Sequence, residues 1–180
     1  MVTKKRPKPQ GEIKPLPLLA KNAIDKLDGI VQGARVYEYG SGGSTLWLAQ
    51  RARQLISVED DPDWYEAVLA GLSALELNSE VKLVATESMP TTIYHRGKFD
   101  VVFVDCRKQA IRRQSIILGA KHVKPGGWLV ADDYNFPLVR KAVNQLPKDT
   151  WEVTILSGKK IHAVRRVKVK AVTAFCRRAA

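Results

Sequence analysis

Glu38, Glu59, Asp105 and Asp132 each stand at the end of an apolar run, and the first stands two places before the turn Gly40-Ser41-Gly42-Gly43-Ser44-Thr45. Carboxylates accept hydrogen bonds from sugar hydroxyls and attract cations. Glycines let the chain turn sharply and let a ligand come close, because no Cβ stands in the way. A helix opening behind such a turn offers unpaired N–H groups and the positive end of a dipole. The stretch Val36 to Thr45 therefore reads as strand, tight turn and helix start, a candidate cradle for a polar or charged ligand.

A glycine turn alone occurs in nucleotide-binding proteins of many kinds. Two features narrow the choice. Glu59 lies about 20 residues past the turn, where an acid can accept from both hydroxyls of a ribose. Glu38 stands two places before Gly40, where a carboxylate would repel a pyrophosphate. A cofactor with a cationic end and no phosphate suits the site better. S-adenosylmethionine has an adenosine, a sulfonium and an ammonium.

The elements that must position these residues follow from periodicity. Helical spacing runs from Leu16 to Val31, and strands are expected at Ala34 to Tyr39, Gln54 to Glu59 and Val81 to Ala85. Phe99 to Asp105 is continuously apolar up to its acid, as in a central strand covered on both faces. Trp128 to Ala131 forms a fifth strand after a turn at Lys124 to Gly127. Helices are expected from about Ser44 to Arg53, from Pro62 with Asp61 as its cap, from Lys108 to Val123, and from Phe136 to Leu146. Two last β runs, Trp151 to Leu156 and Val169 to Cys176, flank a basic segment that reads as a long hairpin. Alternating strands and helices imply an α/β domain with a mainly parallel sheet. Ligands of such sheets sit beyond the carboxyl ends of the strands, where strand order reverses, and that is the edge carrying the acids.

The chain has 180 residues, 45% hydrophobic and 27% charged. One domain over 15–180 is expected, preceded by a basic flexible tail over 1–14. The composition excludes wholesale disorder. No apolar run reaches the length of a membrane span and no signal-peptide pattern is present, so a cytoplasmic protein is expected. Cys106 and Cys176 match no metal or redox spacing. The formal charge of +12, concentrated in Lys4, Lys5, Arg6 and Lys8 and in Lys159, Lys160, Arg165, Arg166, Lys168, Lys170, Arg177 and Arg178, permits attraction to nucleic acid or another polyanion. His95, His122 and His162 share no motif and read as surface residues; Cys106 reads as a buried filler and Trp64 as a packed aromatic.

Four blocks together carry a resemblance: Glu38-Tyr-Gly-Ser-Gly-Gly-Ser-Thr45, Ser57-Val-Glu-Asp-Asp-Pro-Asp-Trp64, Phe99 to Asp105, and Val123-Lys-Pro-Gly-Gly-Trp-Leu-Val-Ala-Asp-Asp133. In order and separation the chain resembles a class I S-adenosylmethionine-dependent methyltransferase. The resemblance implies a Rossmann-like doubly wound sheet, mostly parallel, of about seven strands with a C-terminal antiparallel hairpin. It implies that Glu38 stands near the methionine end and orders the loop or a bridging water, that Gly40, Ser41, Gly42 and Gly43 pass under methionine and ribose, and that Ser44 and Thr45 bond near the carboxylate or cap the helix. It further places Glu59 on the ribose, Asp60 beside the adenine, Glu87 and Ser88 at the adenine amino edge, and Asp105 near the transferred methyl. Asp105 and Asp132 are the candidate catalytic residues, with Asp133 and Tyr134 next.

No Asn/Asp-Pro-Pro-aromatic tetrapeptide follows the fourth strand, which disfavours methylation of a nucleobase amine. Asp105 and Asp132-Asp133 are similar to the carboxylates that bind a divalent metal in catechol-type O-methyltransferases, but their flanks fit loosely and no metal is expected. A small-molecule oxygen or nitrogen acceptor is the first reading. An RNA- or protein-directed methyltransferase using the basic ends, or an S-adenosylmethionine-binding protein with other chemistry, are the alternatives.

Overall fold

The computed structural model describes residue 9 and residues 11–161 and 168–180. The basic start from Lys4 to Lys8, and His162, Arg165 and Arg166, lie outside the described residues. The element order is α1 (Lys21–Val31), β1 (Arg35–Tyr39), α2 (Gly43–Ala49), β2 (Gln54–Glu59), α3 (Pro62–Ala74), β3 (Glu80–Leu83), a 3₁₀ turn (Thr86–Thr91), β4 (Phe99–Val104), α4 (Gln109–Ala120), β5 (Val123–Ala131), α5 (Pro137–Asn144), β6 (Trp151–Ile161) and β7 (Lys168–Arg178).

The strands form one seven-stranded sheet in the order β3-β2-β1-β4-β5-β7-β6. The first five of these run parallel. β7 enters antiparallel between β5 and β6. The expected doubly wound sheet with its terminal hairpin is thus observed. Strand order reverses between β1 and β4, so the glycine turn after β1 opens at the switch point.

Alternation along β4 explains its unbroken apolar sequence. Val102 and Val104 pack on one face with Tyr37, Tyr39, Ile116, Leu129 and Val139. Val101 and Phe103 pack on the other with Leu27, Val36, Trp47, Leu48 and Phe175. Both faces are buried, so no polar alternation survives.

Several boundaries differ from the periodic reading: β6 runs to Ile161, past the expected Leu156, and α4 stops at Ala120, short of Val123. α1 begins at Lys21 rather than Leu16, because Pro15 and Pro17 interrupt the first turns; Leu16 and Leu18 stay exposed. α2 ends at Ala49, short of Arg53. The expected turn at Lys124 to Gly127 is a bulge inside β5: Phe99 pairs with Val123, but Val101 pairs with Trp128. Pro125 has no N–H for the ladder and Gly126 takes φ +73°, so the extra residues loop out of register.

The segment before α1 lies against the fold. Ile13 packs on Leu46, Val68 and Leu72, and a Cβ on Gly43 would come within 2.5 Å of the Lys14 carbonyl oxygen. Gly40 is more constrained still. Its φ is +92° and a Cβ there would lie 2.7 Å from Cys106 Cα. Gly40→Ala should cost about 2–4 kcal/mol, from left-handed strain plus overpacking. Urea denaturation checks this; a change below about 1 kcal/mol would show that the turn relaxes freely.

Candidate functional site

The glycine turn is held from below by Glu38. Its Oε1 accepts from Ser44 Oγ at 2.6 Å, and its Oε2 accepts from Thr45 Oγ1 and Ser57 Oγ, each at 2.6 Å. Ser41 Oγ lies 2.7 Å from Ser57 Oγ, and Gly42 N donates to Thr45 Oγ1 at 2.9 Å. Glu38, Ser41, Ser44, Thr45 and Ser57 are all buried. Glu38 therefore ties β1, the turn, the start of α2 and β2 together, and the Ser44 and Thr45 hydroxyls serve the loop. Burial pushes the Glu38 carboxyl up to about 7, against the downward pull of its three hydroxyl donors.

Glu59 closes the next side. This buried carboxylate accepts Ser41 N on Oε2 at 2.8 Å and the amides of Asp60 and Asp61 on Oε1, each at 3.0 Å. It stands between the glycine turn and the exit of β2. Asp60 accepts from Thr86 Oγ1 across to the 3₁₀ turn. Asp61 caps α3 as expected, accepting from Asp63 N and Trp64 N. Glu87 and Ser88 lie exposed on the 3₁₀ turn. A Cβ on Gly42 would meet only the Trp64 ring, at 3.8 Å, so bare backbone borders open space here.

Beyond β4 and β5 stands an ion cluster. Arg112, 3% exposed on α4, donates from Nε to the Cys106 carbonyl at 2.6 Å and from Nη1 to the Asp132 carbonyl at 3.1 Å. It also donates from Nη2 to Asp105 Oδ1 and from Nη1 to Asp133 Oδ2, both at 2.8 Å. Lys160 of β6 donates to Asp132 Oδ2 at 2.8 Å and to Asp133 Oδ1 at 3.2 Å. Thr173 of β7 donates to Asp132 Oδ1 at 2.9 Å. Burial pushes Asp105 up, Arg112 pulls it back and Asp132 adds to the rise. Burial also opposes ionisation of Asp133, but Arg112 and Lys160 outweigh it and hold that carboxyl below the usual range.

Asp105 lies at the switch point itself, its amide donating to the Tyr39 carbonyl at 2.9 Å. Glu59, the glycine turn and Asp105 thus mark the exits of three consecutive strands, β2, β1 and β4. Tyr134 turns away from the cluster, its hydroxyl on Asn144 Oδ1 at 3.0 Å. His122 Nδ1 lies 2.9 Å from the Gly97 carbonyl oxygen. Cys106 is buried, and burial pushes its thiol up to about 12, as suits a filler.

A methyltransferase-domain family model matches residues 37–134. The chain belongs to that family, the class I S-adenosylmethionine-dependent methyltransferases. A ubiquinone biosynthesis O-methyltransferase of Shewanella pealeana is 29% identical over 136 residues, 71% of this chain and 56% of the relative. The chain thus spans little more than half the length of that relative. An rRNA methylase from Streptococcus thermophilus superposes with a TM-score of 0.70 at 14% identity, covering 88% of this chain and 95% of the other. A 16S rRNA N2 G1207 methyltransferase from T. thermophilus, solved with S-adenosylmethionine and guanosine, gives 0.60 at 17% identity over 88% of this chain and 41% of the other. At those identities the two structures share the fold. No helix among the described residues is long and apolar enough to cross a membrane.

The methyltransferase cofactor fits this rim: carboxylates suit hydroxyls and a cationic end, and Gly42 leaves room for close approach. The divalent metal of catechol-type enzymes does not fit. Oxygens of Asp105, Asp132 and Asp133 lie within 4.8 Å of one another, but Asp105 Oδ1 and both oxygens of Asp132 and Asp133 are already engaged.

Arg112, Lys160 and Thr173 were not legible as site residues from local motifs. For Arg112 a signal existed. The stripe Ile116–Ala120, extended back one turn, lands on Arg112, and Arg112, Ser115, Ile116, Gly119 and Ala120 are the buried positions of α4.

The raised carboxyl of Glu38 has a consequence for stability. Folding favours its protonated form, so its contribution is full below pH 4.5 and is lost as pH rises through about 7. Wild type should lose on the order of 3 kcal/mol across that window relative to Glu38→Gln. Urea titrations at several pH values check it; parallel profiles for the two proteins would refute it.

Proposed function

We propose that the chain transfers the methyl group of S-adenosylmethionine to an oxygen or nitrogen atom of a small molecule, in the cytoplasm. The observation that carries this is the Glu59 carboxylate, buried and turned onto the glycine turn at 2.8 Å from Ser41 N, one strand from Asp105. Glu59 would accept the ribose hydroxyls, Gly40 to Gly43 would underlie methionine and ribose, and Glu38 with Ser44 and Thr45 would hold the loop in shape. Asp60, Glu87 and Ser88 would border the adenine. The Shewanella relative supports an oxygen acceptor on a small molecule. The free, buried cysteines suit a reducing compartment.

When bound, the cofactor supplies a methyl already activated on a positively charged sulfur. The chain's task is alignment and proton handling. Asp105 keeps 26% of its side chain exposed, and burial raises its proton affinity. Its Oδ1 faces Arg112, so Oδ2 is the atom assigned to take the acceptor's proton. Asp132 is fully buried and acts through Lys160 and Thr173, as a positioning residue.

A second reading has its own observation. Lys159 and Lys170 are exposed and lie directly opposite each other across the β6–β7 ladder. Like charges so placed are unfavourable and attract a polyanion, which supports an RNA acceptor. A steep fall of RNA affinity with salt would favour it; no RNA retention at about 50 mM salt would remove it. A non-methyl-transfer role is removed if S-adenosylhomocysteine forms only when an acceptor is present.

Two substitutions test the main assignment. Glu59→Gln should weaken S-adenosylmethionine binding by about tenfold or more, read by calorimetry. Asp105→Asn should leave that binding within about twofold and lower turnover by about 100-fold. Unchanged affinity in the first, or full turnover in the second, would overturn the respective role.

A further inference from the structure

We propose that Lys160 is a built-in cation: its ammonium, brought in on β6, occupies the seat that Asp105, Asp132 and Asp133 would otherwise offer to a divalent metal. Acceptor binding is thereby independent of added metal. The three carboxylates come from two strand exits and converge within 4.8 Å. A magnesium-like ion would keep several waters and need one or two of these carboxylates as ligands at about 2.1 Å. Asp105 Oδ1, Asp132 Oδ2 and both oxygens of Asp133 already bond the fold's own cations. Lys160 bridges Asp132 and Asp133 at 2.8 and 3.2 Å. Arg112 bridges Asp105 and Asp133 from the other side, both at 2.8 Å.

The seat is rigid. The Asp132 side chain is 1% exposed and the Lys160 side chain 15%. Thr173 fixes the remaining Asp132 oxygen, and both strands of the hairpin are paired at this point, Lys160 with Val169 and Thr173 with Leu156. A divalent ion and this ammonium cannot share the space, because like charges so close repel strongly where water is scarce. Removing Lys160 instead leaves the buried Asp132 carboxylate without its cation, which favours any cation able to enter.

An ammonium has three donors. Two are committed to Asp132 and Asp133; the third is assigned to an oxygen, or an adjacent anionic group, of the methyl acceptor. This last step rests on the methyltransferase reading above, whereas the occupancy of the seat does not. Lys160 is then an acceptor-binding residue that does for the acceptor what a bound metal does by charge.

The test is a Mn²⁺ titration of the full chain, followed by electron paramagnetic resonance of free Mn²⁺. Wild type should leave Mn²⁺ free up to about 1 mM, whereas Lys160→Met should bind one ion per chain at least about tenfold more tightly. Lys160→Arg, which keeps the charge, should behave as wild type. Stoichiometric binding by wild type, or no gain in folded Lys160→Met, overturns the proposal. Should the methionine variant fail to fold, Lys160→Gln takes its place in the same titration. Calorimetry with S-adenosylmethionine on wild type reports separately: lost cofactor binding sinks the functional reading and leaves the Mn²⁺ result standing.

Discussion

The rim of strand exits depends on one buried guanidinium. Arg112 rises from α4 into the gap where β4 and β5 leave their ladder, and it satisfies the Cys106 and Asp132 carbonyls that this departure strands. Unpaired buried carbonyls are costly. A planar fork of five donors is the side chain best shaped to serve two carbonyls and two carboxylates at once. Burying that charge is expensive in turn, and Asp105 and Asp133 compensate it. Each group in the cluster therefore needs the others. Losing one partner leaves a buried charge uncompensated, at a cost of about 3–5 kcal/mol.

The opposite half of the rim solves a similar problem without a cation. Glu38 is as buried as Arg112, but three hydroxyls from the α2 start and β2 meet it. Hydroxyl dipoles stabilise an anion less than a guanidinium does. The Glu38 carboxyl consequently sits near 7, whereas Asp133, beside two cations, is held below its ordinary range. The hydroxyl network fixes loop shape. The ionic network fixes loop shape and also sets the local potential at the exits of β4 and β5. Between them stands Glu59, whose backbone amide partners pin it at the turn.

Much of this arrangement was legible in the chain, for local reasons. Strand β2 matched its periodic reading residue for residue, and Asp61 with Pro62 marked the start of α3 because cap and first-turn proline act within three residues. Acids ending apolar runs located the rim. What failed was tertiary or backbone-specific. Leu16 and Leu19 had helical spacing, yet proline dihedrals won over periodicity. Lys124 to Gly127 looked like a turn, and the ladder absorbed it as a bulge. The acids themselves read as a ligand edge, although Glu38 and Asp132 are fully buried and serve other side chains. No spacing rule links Lys160 to Asp132, because their meeting depends on sheet order.

Sheet order is what reconciles an acidic rim with a basic chain. β7 runs antiparallel beside β5, and their pairing ends at Ala131 with Ala174, where β5 stops. The hairpin does not stop there. β6 and β7 remain paired from Ser157 with Val172 out to Ile161 with Lys168, so the ribbon overhangs the strand exits by several residues. A parallel strand in that place would have ended near the rim, as β4 does, and could not have leaned over it. The overhang lets Thr173 and Lys160 reach Asp132 from above, while Lys159 and Lys170 remain exposed on the same ribbon. One topological choice thus places a neutralising cation inside the carboxylate cluster and a positive surface beside it, and the two uses of lysine differ only in which way the strand pleat turns them.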